Sequence, residues 1–146
     1  ASVSAVFDHL RQILTPDEFS MLFSTILTDR GSEFSDPVRM ETDMQTGEIQ
    51  SRVFYCDPQN SNQKSGCERN HEFLRYILPK GTSMNPLNQE KVDLMFCHIN
   101  SYGRPSLSNK SPAELFLMLY GDSLGKKLGV KPIDPPKINL TPTLIK

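Results

Sequence analysis

No run of apolar residues in this sequence is long enough to cross a bilayer: stretches such as Leu115 to Tyr120 fall far short of the ~20 residues that a helical span needs. No membrane segment is therefore expected. A secretory leader is missing in pattern as well. It would need a basic start and then an apolar stretch, whereas Ala1 to Leu14 carries Asp8, His9 and Arg11 at amphipathic spacing, and the chain reads as cytoplasmic. Cysteine is sparse. Cys56, Cys67 and Cys97 form an odd set without a C-x-x-C pair, which argues against a disulfide framework and against structural zinc, so free thiols, buried or half-buried, are expected. Neither sign of charge is in excess. Sixteen Lys and Arg face 17 Asp and Glu for a net charge of -1, and composition supplies no global attraction to a polyanion. Any such attraction has to be local, and the charge is unevenly placed: Asp29 to Glu48 is rich in carboxylates, while Lys64 to Lys80 and Lys110 to Lys146 are mostly basic.

What is present is the composition of a soluble globular chain. Its 146 residues are 37% apolar and 23% charged with a mean hydropathy of -0.41, which excludes a chain dominated by disorder. This length suits one domain, able to bury about two thirds of the unfolded surface.

The periodicity alternates between helix and strand. Val3, Val6, Phe7, Leu10, Ile13 and Leu14 recur at helical spacing, and Thr15-Pro16-Asp17-Glu18 is a start signal for a second helix ending near Phe23, with Thr15 as N-cap and Glu18 closing a capping box. A short β-prone run, Ser24 to Thr28, then meets the breaker Asp29-Arg30-Gly31-Ser32. Pro37 to Glu41 suits a helical turn, Asp43 to Gln50 a surface loop or hairpin, and Ser51 to Cys56 a second strand. Gln59 to Gly66 lacks any apolar residue and reads as a mobile or ligand-gated loop. Helices are expected over Cys67 to Leu78, ended by Pro79, over Gln89 to Ser101, and from the capping box Ser111-Pro112-Ala113-Glu114 to Gly121. Beyond Gly121, Gly and Pro break every long element, and Lys131 to Lys146 should be extended and docked only in part. Residues 1–120 thus form the body and 121–146 a C-terminal tail.

Two carboxylates stand where α/β proteins place ligand groups. Asp29 ends one strand, and Glu68 lies in the first turn of the helix after the second strand, 38 residues further on, so both can reach one edge of a sheet and share a divalent metal. Taken singly, Asp29 is an ordinary turn former and Glu68 an ordinary first-turn acid favoured by the helix dipole. Arg69 and Arg75 are by default solvated helix residues. His98, beside the apolar face of its helix, suits a packed or hydrogen-bonded histidine better than a ligand.

Three blocks carry a resemblance: Thr28-Asp29-Arg30-Gly31-Ser32-Glu33-Phe34, Phe54-Tyr55-Cys56-Asp57-Pro58 and Gly66-Cys67-Glu68-Arg69-Asn70-His71. With Pro79-Lys80-Gly81-Thr82-Ser83, the run from His98-Ile99-Asn100-Ser101-Tyr102 to Ser111-Pro112-Ala113-Glu114-Leu115-Phe116, and Asn139-Leu140-Thr141-Pro142, they resemble, in the same order, the integrase core of insertion-sequence transposases of family thirty. The resemblance implies an α/β, RNase H-like (retroviral integrase-like) fold, N-terminally incomplete here, in which Asp, Asp and Glu bind Mg²⁺ or Mn²⁺. Asp29 corresponds to the second carboxylate and Glu68 to the third, while the first belongs upstream, so this fragment is expected to be inactive. Mg²⁺ takes oxygen ligands in octahedral geometry and keeps several waters, and a pair of such ions serves an in-line displacement at phosphorus, in strand cleavage by water and in strand transfer by a 3′-hydroxyl. Without metal, neighbouring carboxylates repel and one tends to hold a proton.

The implied partner is DNA, both transposon ends and target. Arg75 is two helical turns from Glu68 on the same face, at a position basic in the family, and is assigned to a phosphate near the scissile bond. Lys64, Arg69 and His71 are the further DNA-binding candidates, near free backbone N–H groups at the helix start. His71 stands where some relatives would carry asparagine, and Arg30 where many would. An exposed sheet edge should drive self-association into a homo-oligomer. The rival readings are an RNase H-like nuclease that cuts without joining, and a non-catalytic DNA-binding or multimerisation module.

Overall fold

A computed structural model of the chain describes residues 3–57 and 65–146, with 65–68 described by backbone alone. The expected loop over Gln59 to Gly66 falls largely outside the described residues. The chain divides into two compact units, Ala1–Ser65 and Gly66–Lys146.

The first unit begins with helix α1 (Val3–Ile13) and helix α2 (Pro16–Phe23). The break between them is a closed capping box: the Thr15 hydroxyl accepts from the Glu18 backbone N–H, and the Glu18 carboxylate accepts from the Thr15 N–H at 2.8 Å. Each bond satisfies a backbone donor that a helix start leaves free. The two helices meet through Phe7, Phe19 and Phe23, whose ring centroids lie 5.1 to 6.3 Å apart. Strand β1 (Thr25–Thr28) follows, then a 3-10 turn (Ser32–Phe34) and helix α3 (Pro37–Glu41), capped by the Asp36 carboxylate on the Arg39 N–H. A hairpin turn comes next, closed by the Thr42 to Ile49 bridge with Gly47 at φ +75°, and strand β2 (Arg52–Tyr55) completes the unit.

Strands β1 and β2 pair in parallel, Thr25 with Arg52 through Thr28 with Tyr55. The ladder runs one bond further, from Cys56 N–H to Thr28 C=O at 2.7 Å. On the outer side of β2, the Val53 N–H donates to the Glu41 carboxylate at 2.8 Å. Arg11 ties the helices to this sheet's approach. Its guanidinium donates to the carbonyls of Arg39 and Met40 and to the Gln50 side chain, and lies 4.4 Å from the centre of the Phe19 ring. Leu14, Phe19, Met40 and Cys56 are the buried apolar residues here, Cys56 as a free thiol.

The second unit is helical. Helix α4 (Ser65–Ile77) and helix α5 (Gln89–Ser101) pack around a core of Phe73, Ile77, Leu78, Met95 and Ile99, and helix α6 (Pro112–Lys127) packs on α5. Asn88 caps α5, and Ser111 with Glu114 forms the second capping box as expected. Hydrogen bonds from the Ser111 backbone N–H and from its hydroxyl hold the Glu114 carboxyl below its usual value. The α6 element differs from expectation. Helical backbone does break at Gly121, at φ +83°, but it resumes and carries Leu124 and Gly125 into buried positions. The tail also docks: Leu140, Leu144 and Ile145 pack on the core. Among the described residues no helix is long and apolar enough to cross a membrane.

Candidate active site

Asp29 is the first residue past β1. Its exposed carboxylate accepts a hydrogen bond from the Gly31 N–H at 3.1 Å, the Asx turn that the Asp29-Arg30-Gly31 spacing favours. Parallel pairing sends the ends of β1 and β2 to the same edge, since Thr28 is opposite Tyr55. That register brings in a residue that sequence reasoning passed over as a strand terminator: Asp57, exposed and two positions beyond β2, stands at the edge where Asp29 stands. The signal was available, because a carboxylate just after each of two parallel strands arrives at one edge whenever the strands are in register. Tyr55 closes the same region by donating its hydroxyl hydrogen to the Phe34 carbonyl at 2.7 Å.

Glu68 lies in the first turn of α4, in the second unit, and its side chain is outside the described residues, as is the whole of Lys64. Among the described residues there is no group of three His, Cys, Asp or Glu side chains able to hold a metal ion. The described sheet edge carries the carboxylates of Asp29 and Asp57, which are oxygen donors of the type a hard cation takes. Asp29 commits one oxygen to Gly31, and carboxylate ligands in an exposed turn suit an ion that retains much of its water.

The other candidates all sit on α4 with exposed side chains. Arg69 pairs with Glu72 at 2.9 Å, one helical turn on. His71 and Arg75 share a face four residues apart and line one cavity of about 390 Å³ at the C-terminal end of the helix. Among the described residues, neither makes a side-chain hydrogen bond or ion pair. Asn70 instead serves structure, accepting from the Arg104 guanidinium at 2.8 Å. Burial lowers the pKa of Arg104, with repulsion from Arg69 second, and its Nε is buried without a partner among the described residues. Arg30 is exposed beside Asp29. His98 is a packed histidine: it is buried, and its Nδ1 accepts from the Asn139 N–H at 3.1 Å.

Three comparisons with known proteins bear on this arrangement. Over 92 residues, 63% of the chain, it is 37% identical to ORF3 of Spiroplasma virus SpV1-R8A2 B, which is named as an integrase. Over 94 residues, 64% of the chain, it is 33% identical to the transposase for insertion sequence element IS1086 of Cupriavidus metallidurans. Over 96 residues, 66% of the chain, it is 30% identical to transposase InsI for insertion sequence element IS30A of Escherichia coli K12. Over these residues the chain is similar to proteins named as an integrase and as transposases of insertion sequence elements. The matched part spans about a quarter of their length, 27, 26 and 24% respectively. No family model matches the chain, and no solved structure gives a significant match. The likeness to these proteins is one of sequence alone.

Proposed function

We propose that this chain is a piece of an IS30-type DNA transposase, carrying two of the acids of an RNase H-like, DDE-type catalytic core. Its relationship to transposases and to an integrase carries the reading. Asp29 at the end of a parallel strand supports it, as a ligand position of the kind α/β sheets supply.

In this reading Asp29 and Glu68 are the acids that would hold Mg²⁺ or Mn²⁺. Such ions supply activation of the attacking hydroxyl and stabilisation of the leaving oxygen at phosphorus. The chain's own residues do the rest. The Asx turn fixes the Asp29 carboxylate before any ion arrives, which reduces what must be ordered on binding. Arg75, exposed and without a described partner, is free to hold a phosphate, and Arg69 and His71 extend that contact along α4. A DNA partner and assembly into a homo-oligomer belong to the same proposal.

The test is a Mn²⁺ titration of the chain followed by amide line broadening. Broadening should appear first around residues 29–31, 56–57 and 68, and Asp29→Asn should remove it at all three places. Broadening confined to other acidic stretches, or unchanged in Asp29→Asn, rejects the metal assignment.

A further inference from the structure

The cavity at the end of α4 holds more than the phosphate contact assigned to Arg75. Its lining combines the cationic or titratable side chains His71, Arg75 and Lys80 with the apolar Leu74, Leu78 and Met84. Lys80 owes its place to a turn. The Thr82 N–H donates to the Pro79 carbonyl at 3.0 Å, and Gly81 at the third position has φ +88°, the backbone a type II turn requires there. A side chain at Gly81 would meet nothing within 4 Å, so glycine is present for the turn and not for space.

Three features of this cavity go together. Among the described residues, His71, Arg75 and Lys80 make no side-chain hydrogen bond or ion pair, and no carboxylate lines the cavity. Part of its lining is apolar, and Met84, 66% exposed, leaves its thioether side chain open to contact. Its volume, about 390 Å³, lies in the range of small-molecule sites, whereas a backbone phosphate alone needs neither a cavity nor an apolar lining. Cations and apolar side chains lining one cavity are complementary to a single nucleotide, which offers an anionic phosphate and a flat, weakly polar base.

We propose that this cavity takes one unstacked nucleotide of a DNA strand, with Lys80 and Arg75 on its phosphate and the base lying against Leu74, Leu78 and Met84. It rests on the transposase reading for its DNA. It adds to that reading a subsite for an extruded or single-stranded nucleotide. Unstacking a base from a duplex costs a few kcal/mol, so the site should favour strands already open.

The experiment measures affinity of the whole chain, by fluorescence anisotropy at low salt, for a labelled oligo-dT strand, its abasic counterpart, and the oligo-dT–oligo-dA duplex. Met84 is exposed, so Met84→Asp should fold; circular dichroism checks this. The expected result is tighter binding of the strand than of the abasic strand, and loss of about tenfold in strand affinity in Met84→Asp, with duplex affinity unchanged. Lys80→Glu should weaken both forms. If duplex binds but the strand is no tighter than its abasic form, or Met84→Asp binds the strand as wild type does, the nucleotide subsite is overturned and the transposase reading stands. If no form of DNA binds at low salt, both fall.

Discussion

Single side chains in this protein join segments far apart in sequence, and His98 is the most exposed to test. Burial lowers its pKa from the ordinary 6.5, and its neutral Nδ1 accepts from the Asn139 N–H of the docked tail. The sign follows from the two states. As pH falls the unfolded chain takes up the proton first, so this contribution is fully present above about pH 6.5 and is lost as pH falls through that value towards the lower folded pKa. Thermal unfolding followed from pH 8 down should show Tm falling below about pH 6.5, together with faster exchange of the Asn139 amide. His98→Gln, which keeps an acceptor without titrating, should flatten that fall; an unchanged pH profile in the variant would reject the role. At this scale the sequence was partly legible. Asp29 announces its turn through local chemistry, and the apolar face of α5 placed His98 in a packed setting. Arg11 was not legible, because its partners at positions 39, 40 and 50 are brought to it only by folding. Asp57 was missed because strand register, which gives it a neighbour, is a pairing property.

Elements were legible wherever their ends are decided locally. Both capping boxes formed as their Thr or Ser and Glu spacing requires, and both strands lie within the runs that β-prone residues marked. The α6 break was placed correctly at Gly121, but its continuation was not, since what holds the turn after it is burial of Leu124 against the rest of the unit. The sheet is the element with unfinished business. Leu27 and Phe54 are register partners and therefore share a face, yet they are 48% and 55% exposed. Parallel sheets normally have both faces covered, and a pair of strands alone is marginal in water. Sedimentation equilibrium should accordingly show concentration-dependent self-association of the chain, and Phe54→Lys should reduce it while leaving the melting temperature near wild type. A clean monomer at high concentration, or association indifferent to Phe54→Lys, would remove this face from consideration.

For the molecule as a whole, charge balance limits how DNA can be held. With a net charge of -1, long-range attraction is negligible, and affinity has to arise from the few cations that escape internal pairing. Arg11 and Arg39 are spent within the first unit, Arg39 on Asp8 at 2.6 Å; in the second, Arg69 is shared with Glu72 and Lys137 with Asp134. Arg75 and Lys80 line the α4 cavity without a partner among the described residues, and the contact proposed there engages these two. Counterion release then predicts a shallow salt dependence for a single strand: the two contacts, at about 0.7 each, give a slope of about -1.4 in log affinity against log salt. Arg75→Ala should make it shallower by about 0.7, and Lys131→Ala, on the tail, should leave it unchanged. A slope of about -5 or steeper in the wild-type chain would mean that cations well outside the α4 cavity carry the contact, because each phosphate neutralised adds a fixed increment whichever side chain supplies it.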